Sequence, residues 1–279
     1  MESKVDSIAK LVPQSISEKG EIEVGMNAPF APAEFFADDD ETQVGYEVDV
    51  LRAAAEVLGL KLNIHQASFD TIIPSIGSKF DVGASGFSVS EDRLKQMDFV
   101  SFFKAGEAFA VRDGNPKKLP DPTISDNGEK YEDLLVLCGQ VVGVQTATTE
   151  DEELDDYQSS CEKAGKKDID ILRWENQAQV TTALVSGKVD YMFVDSDVLG
   201  YSMDITNGEL EQIGATVGNC YHGFAVNKDN HELSEALVAA MNYIIGNGDY
   251  DKILEFWGVQ SGAIEKSKQL TGEDVQSLM

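Results

Sequence analysis

Two blocks of alternating short strand and amphipathic helix, separated by one long extended run, constrain this chain more tightly than any other feature. In the first block, residues 22–25 read as a strand. Residues 48–59 read as a helix in which Val50, Leu51, Ala54, Val57 and Leu58 share one face, and Gly59 can end it. Residues 61–66 form a second strand, 70–76 a short helix and 81–83 a third strand. Residues 102–112 are a longer extended run, broken by Gly114-Asn115-Pro116 and Pro120-Asp121-Pro122. The second block has strands at 141–144, 169–174, 189–194 and 224–226, with helices at 149–164 and 177–186 between them. A last helix at 231–245 puts Leu233, Leu237, Met241 and Ile244 on one stripe and stops at Gly246. Alternation of this kind predicts α/β architecture with mainly parallel sheets and helices on both faces. The 279 residues allow two lobes of ordinary size.

The stretch Gly83-Ala84-Ser85-Gly86-Phe87-Ser88-Val89-Ser90-Glu91-Asp92-Arg93 carries the most chemistry. A short apolar strand runs into small residues and hydroxyls, then into a helix start with an arginine in its first turn. Small residues let backbone N–H groups approach a ligand closely. A helix N-terminus favours an anion, and arginine grips a carboxylate with two parallel hydrogen bonds. These residues predict a site for a small carboxylate rather than a catalytic centre. Gly83-Ala84-Ser85-Gly86 lacks the Gly-x-Ser-x-Gly spacing of a nucleophile elbow. His65, His222 and His231 are scattered, and no phosphate loop is present. No cofactor, metal site or catalytic residue is expected.

The same stretch resembles the serine-rich turn and arginine of the polar-amino-acid solute-binding proteins of ABC importers, extracellular solute-binding protein family 3. Further similar segments follow in order. They are Val44-Gly45-Tyr46-Glu47-Val48-Asp49-Val50, Val142-Gly143-Val144-Gln145-Thr146-Ala147-Thr148-Thr149, Val189-Asp190-Tyr191-Met192-Phe193-Val194-Asp195-Ser196, and Gly248-Asp249-Tyr250-Asp251-Lys252-Ile253-Leu254-Glu255-Phe256-Trp257-Gly258-Val259. Together they span about four-fifths of the chain.

The resemblance implies an α/β fold of the periplasmic-binding-protein-like type II class: two Rossmann-like α/β lobes joined by a two-strand hinge near residues 103–112 and 216–227. Lobe 1 is then discontinuous, 21–106 and 227–265, and lobe 2 is 107–226. Residues 1–20 and 266–279 form polar terminal segments, and the polar stretches 1–20 and 262–279 are expected to be peripheral. The resemblance also implies ligand roles. Arg93 clamps the α-carboxylate of an amino acid, Ser85, Gly86 and Ser88 offer backbone and hydroxyl contacts, and Asp195 accepts from the α-ammonium. Thr148 and Thr149 supply a hydroxyl and a backbone N–H, with Ala147 where the family usually has glycine. Phe30 and Phe69 sandwich the ligand's side chain. Asn27 stands where members binding cationic amino acids often carry aspartate, which favours a neutral side chain such as glutamine, asparagine or cystine. Histidine, arginine and glutamate stay open. Glu34, Gln145, Trp174, Gln177 and His222 are further pocket candidates.

Read without the resemblance, several of these residues have plainer roles. Thr148 and Asp195 suit helix caps, and Phe30 and Phe69 suit a core. Asp195 also ends a strand, where open α/β sheets place ligand groups.

Composition removes whole classes of partner. Fifty acidic residues against 22 basic give a net charge of −28, which argues against nucleic acid and anionic lipid. The acidic clusters at 38–41 and 150–153 lack calcium-loop spacing. No apolar run approaches the ~20 residues of a membrane span, and the first twenty residues lack a signal-peptide core. The resemblance implies a mature, monomeric receptor at the extracellular face of the membrane, lipid-anchored or periplasmic, whose partners are a polar L-amino acid and an ABC permease. Residues 1–20 suit the remnant of a tether. None of Cys138, Cys161 and Cys220 sits in a Cys-x-x-Cys pair. Cys138 precedes a strand and Cys161 ends the following helix, so both fall at one sheet edge and are expected to form a disulfide, consistent with an oxidising compartment. Cys220 is left over and reads as a small buried apolar residue.

Two other functions share this scaffold. A dehydratase acting on a cyclic amino-acid precursor needs a general acid beside the bound carboxylate, and Glu34 and His222 are its candidates. The ligand-binding domain of a sensor is the third.

Overall fold

The structure is a computed structural model that describes residues 4–124 and 131–274. It divides into two compact units. Unit 1 is Met1–Ala28, Pro32–Lys104 and Cys220–Met279, and unit 2 is Pro29–Ala31 and Ala105–Asn219. The two boundaries near residues 104 and 219 fall inside long strands, Met97–Arg112 and Leu210–Asn227.

In unit 1 the strand Glu21–Met26 is central. It pairs in parallel with Lys61–Gln66 on one side and with Val82–Gly83 on the other. The end of Leu210–Asn227 then adds antiparallel, Ala225 opposite Gly83. The helix Tyr46–Leu58 buries Val50, Leu51, Ala54, Val57 and Leu58 and is closed by Gly59 in the left-handed region at φ 73°. Its apolar stripe meets the helix His231–Asn247, whose Leu233, Leu237, Met241 and Ile244 are all buried. Aromatic packing fills the centre. Phe102 stacks on Phe224 at 4.3 Å, Tyr46 lies 4.7 Å from Phe103, and the Tyr250 hydroxyl donates to Phe102 O at 2.8 Å.

In unit 2 the strand Val141–Gln145 lies between Asp170–Trp174 and Tyr191–Asp195, all parallel. Tyr191–Asp195 then pairs antiparallel with the second half of Met97–Arg112, which sets Asp195 directly opposite Glu107. Phe109 and Phe193 stack at 4.1 Å in the core. Cys161, in that core, is joined to Cys138 by a disulfide with Cα atoms 5.7 Å apart.

Four expectations change. The helix 231–245 runs through Gly246 to Asn247, because it is Gly248 that takes the left-handed turn, at φ 84°. Cys220 is exposed rather than buried, on an exposed stretch of Leu210–Asn227. The N-terminal segment is not merely peripheral. Helices Asp6–Ala9 and Gln14–Lys19 form there, Val12 and Ile16 are buried, and Val5 N donates to Val57 O at 2.9 Å. The C-terminal segment covers a strand edge: Gln269–Leu270 pairs with Val100 and Phe99, and the buried Ser267 donates to Ser101 O at 2.6 Å. The outermost parts of both segments, residues 1–3 and 275–279, lie outside the described residues.

Candidate functional site

In unit 1 six of the expected residues meet at the carboxyl ends of the parallel strands. Gly83 is packed so closely that a Cβ there would lie 3.0 Å from Ile72 and Ile76 side-chain carbons. The chain then turns through Gly86 at φ 58°, a conformation that strains any L side chain. Asn27 N donates to Ser85 Oγ at 3.0 Å, and Ser85 Oγ donates to Glu34 Oε1 at 2.7 Å. Gly86 N donates to Glu47 Oε2 at 2.7 Å. This turn therefore already engages carboxylates, those of the protein's own buried Glu34 and Glu47. Asn27 Nδ2 donates to Ala67 O at 2.8 Å, tying its amide to the loop after Lys61–Gln66.

Arg93 follows the cap Ser90, whose Oγ accepts from Arg93 N at 3.4 Å. The Arg93 side chain is buried, with only 7% of the residue exposed. Nη1 donates to Ser88 O at 2.9 Å, and the guanidinium carbon lies 5.5 Å from the ring centres of both Phe69 and Phe87. Those two rings stack at 4.8 Å. A guanidinium held over aromatic faces keeps its charge while shedding water. Phe69 thus has a place in the site distinct from a generic core role. His222, buried to 1% exposure, lies 6.0 Å from the Phe103 ring, and its backbone bridges Ser88.

Unit 2 holds the rest of the set. Thr148 caps the helix Thr149–Lys163: its Oγ1 accepts from Asp151 N at 3.2 Å and donates to Gln145 O at 3.1 Å. Ala147 sits at φ 65°, and its N–H donates to Asp151 Oδ2 at 2.9 Å. Asp195 ends its strand, buried, and its side chain does not cap the helix Ser196–Ile205. Phe30 is buried within unit 2. The buried Gln145 and Gln177 donate to Glu175 O at 3.4 Å and to Met192 Sδ at 3.1 Å, and Lys188 lies over the half-buried Trp174 ring.

The electrostatics of unit 2 depend on residues the sequence reading passed over. Glu107 faces Asp195 across the strand pair, and Glu150 and Glu153 face the same place from consecutive turns of Thr149–Lys163. Burial pushes the Glu150 carboxyl up to about 8, with the Asp195 charge adding to it. Burial, then the charges of Glu150, Glu153 and Asp195, raise Glu107 well above the usual carboxylate range. Glu153 is raised by burial as well, although hydrogen bonds from the Tyr157 hydroxyl and from Glu107 oppose that. The nearby Arg173 pairs instead with Asp151 and Asp155, each at 2.6 Å. The signal was present as Glu150 and Glu153 three residues apart on one helix face. The first-turn acids had a sufficient local explanation in the helix dipole, so nothing local pointed inward.

The geometry defines, in unit 1, a hydrogen-bonding turn beside a buried cation and, in unit 2, a buried excess of carboxylates. The family model for bacterial extracellular solute-binding proteins, family 3, matches residues 22–260. The arginine-binding protein ArgT of Corynebacterium glutamicum is 32% identical over 265 residues, 94% of this chain and 82% of that protein. An ancestral arginine-binding protein solved with arginine bound superimposes with a TM-score of 0.73 at 32% identity, covering 85% of this chain and 98% of the other. The ancestral amino-acid-binding protein AncCDT-1, a precursor of cyclohexadienyl dehydratase, gives 0.74 at 25% identity, covering 89% and 99%. The chain belongs to family 3 of the bacterial extracellular solute-binding proteins.

Proposed function

We propose that this chain is the solute-binding component of an ABC importer and that its solute is an L-amino acid with a cationic side chain, arginine first. The observation that carries the amino-acid class is the buried Arg93 guanidinium, oriented by Ser88 O and two aromatic faces beside the Ser85–Gly86 turn. A carboxylate is its natural counter-ion. Two further observations support a cation at the other end of the ligand. Relatives at 32% identity are named for arginine. Unit 2 concentrates Glu107, Glu150, Glu153 and Asp195, whose mutual repulsion a cation relieves. Asn27, which had favoured a neutral ligand, has its amide engaged by Ala67 O and so says less about ligand charge than its position suggested.

The remaining roles follow from this reading. Arg93, Ser85, Gly86 and Ser88, with Thr148 and Thr149, take the carboxylate, Asp195 takes the α-ammonium, and Phe30 and Phe69 flank the side chain. Ligand held by both lobes stabilises a closed state by population shift, with the strands Met97–Arg112 and Leu210–Asn227 as the hinge. A monomeric receptor, periplasmic or tethered outside the membrane, then delivers the amino acid unchanged to a permease. A dehydratase reading draws on the AncCDT-1 likeness. Loss of water mass from a cyclic amino-acid precursor on incubation with the protein would mark turnover, and its recovery intact would count against the dehydratase.

Thermal unfolding of refolded protein against the twenty L-amino acids, ornithine and cystine tests the proposal. A ligand bound only by the folded state raises the midpoint, by about 4 kcal/mol of stabilisation at a thousandfold excess over Kd. Arginine should give the largest shift. A flat panel would remove the amino-acid reading, and a shift confined to glutamine or cystine would remove the cationic one.

A further inference from the structure

The helix Asp249–Trp257 buries Tyr250 and Leu254 but leaves Phe256 80% exposed, the largest exposure among the big apolar side chains of the described residues. Single exposed apolar residues are common. Phe256 is not single. Its ring meets Trp257 edge-on at 5.4 Å, and Trp257 meets Phe35 edge-on at 5.7 Å. The Trp257 indole N–H donates to Asp49 Oδ2 at 3.0 Å, which fixes the middle ring. All four residues belong to unit 1. An exposed phenyl held against a fixed indole loses little freedom on being covered, which is the property of an interface anchor.

The hairpin that carries Phe35 is acidic and ordered. Phe35 lies in the hairpin formed by Phe35–Phe36 and Gln43–Val44. Its turn presents Asp38, Asp39, Asp40 and Glu41, all exposed. The Asp39 carboxylate accepts from Glu41 N at 3.0 Å, Thr42 N at 2.7 Å and Thr42 Oγ1 at 2.5 Å, so the turn has a defined shape. On the helix side, the exposed Glu255 precedes Phe256 and the exposed Lys252 lies one turn before it, paired with Asp249 at 2.7 Å.

We propose that the Phe256–Trp257–Phe35 patch and its acidic hairpin form a docking surface for a basic protein face that carries an apolar socket, namely the outward face of the importer's permease. The assignment of the partner to a permease rests on the importer reading above; the patch itself does not. Charge selects among the other occupants. A second copy of a chain of net charge −28 would bring two acidic hairpins together, and anionic lipid would meet the same repulsion. A basic protein rim meets attraction that fades as salt is added.

The test replaces Phe256 with p-benzoylphenylalanine in the full chain, in cells that also make the importer's membrane components. Ile205, 56% exposed in unit 2, carries the same probe as control. Irradiation should give an adduct from position 256 with a membrane-spanning protein, identified by peptide mass spectrometry, at a segment rich in Arg and Lys. No adduct, or an adduct with a second copy of the chain, overturns the proposal. In parallel, Phe256→Ala and the combined Asp38→Asn, Asp40→Asn, Glu41→Gln variant, which keeps the turn-forming Asp39, should each lower uptake of labelled L-arginine about tenfold. The arginine Kd of the purified variants should stay unchanged. Uptake at the parental level would overturn the docking surface, whereas failure of the parental chain to bind any amino acid would instead overturn the importer reading.

Discussion

The two units hold their buried charge by different means. Unit 1 spends its chemistry on orientation: one buried cation, Arg93, fixed by Ser88 O and two aromatic rings, next to a turn whose hydroxyl and N–H groups already hold the carboxylates of Glu34 and Glu47. Unit 2 relies on charge. Glu107, Glu150, Glu153 and Asp195 crowd together, and burial raises all three glutamates above the usual carboxylate range. Unit 1 thus meets its buried carboxylates with hydrogen bonds, while unit 2 sets carboxylates against one another. The lesson is that two units of one chain need not manage buried charge alike.

The comparison breaks most sharply at Arg93. Arg93→Ala should weaken arginine binding about a thousandfold or more by calorimetry, and Arg93→Lys should recover little of it, because a point ammonium lacks the two-pronged grip. An equal Kd for Arg93→Lys and the parent would remove the bidentate argument. Asp195→Asn comes next, with a loss of about a hundredfold. The same change should raise the melting temperature of the ligand-free protein at pH 8, since it removes one of the repelling charges. Arg93→Ala should lower it by taking a buried side chain from over Phe69 and Phe87. Melting shifts of the same sign for both would erase the difference between the units.

A smaller effect lies in pH. The Glu150 carboxyl ionises near its ordinary 4.5 in the unfolded chain and near 8 when folded, mainly through burial. Between those values the folded chain keeps a proton the unfolded chain has lost, so stability from this group is fully present below about 4.5 and falls as pH rises towards 8. Glu107 acts in the same direction. Melting temperatures of ligand-free protein should decline from pH 5 to 8, Glu150→Gln should flatten the decline, and saturating arginine should reduce it. Smallest is Ala147→Gly. Ala147 occupies φ 65°, and glycine there should stabilise the protein by about 0.5–1 kcal/mol in denaturant unfolding, the relief of a left-handed L residue partly offset by unfolded-chain entropy.

Periodicity carried most of the fold. The stripe of Val50, Leu51, Ala54, Val57 and Leu58 and that of Leu233, Leu237, Met241 and Ile244 are local signals, and both faces are buried. Pairing over distance left no such mark. The Gln269–Leu270 strand depends on an edge at Phe99 and Val100, far earlier in the chain, and is itself too short to show a period. The same division holds for the candidate site. Ser85, Gly86, Ser88 and Arg93 lie within nine residues and were readable as one turn. Glu107 meets Glu150 and Asp195 only because a long strand pairs antiparallel with Tyr191–Asp195. Composition spread the acids so widely, 50 of 279 residues, that the half-buried Glu107 and the buried Glu150 and Asp195 had no contrast against the rest.

The most direct measurement of the central claim is calorimetric titration of refolded protein with L-arginine, agmatine and L-citrulline at pH 7. Agmatine lacks the carboxylate that Arg93 is held to receive, and citrulline keeps the shape of arginine without its side-chain charge. The account predicts that arginine binds and that each analogue binds at least about a hundredfold more weakly, the size of a lost charge-assisted interaction. Agmatine binding as tightly as arginine would contradict the carboxylate clamp, and citrulline binding as tightly would contradict the cationic preference assigned to unit 2.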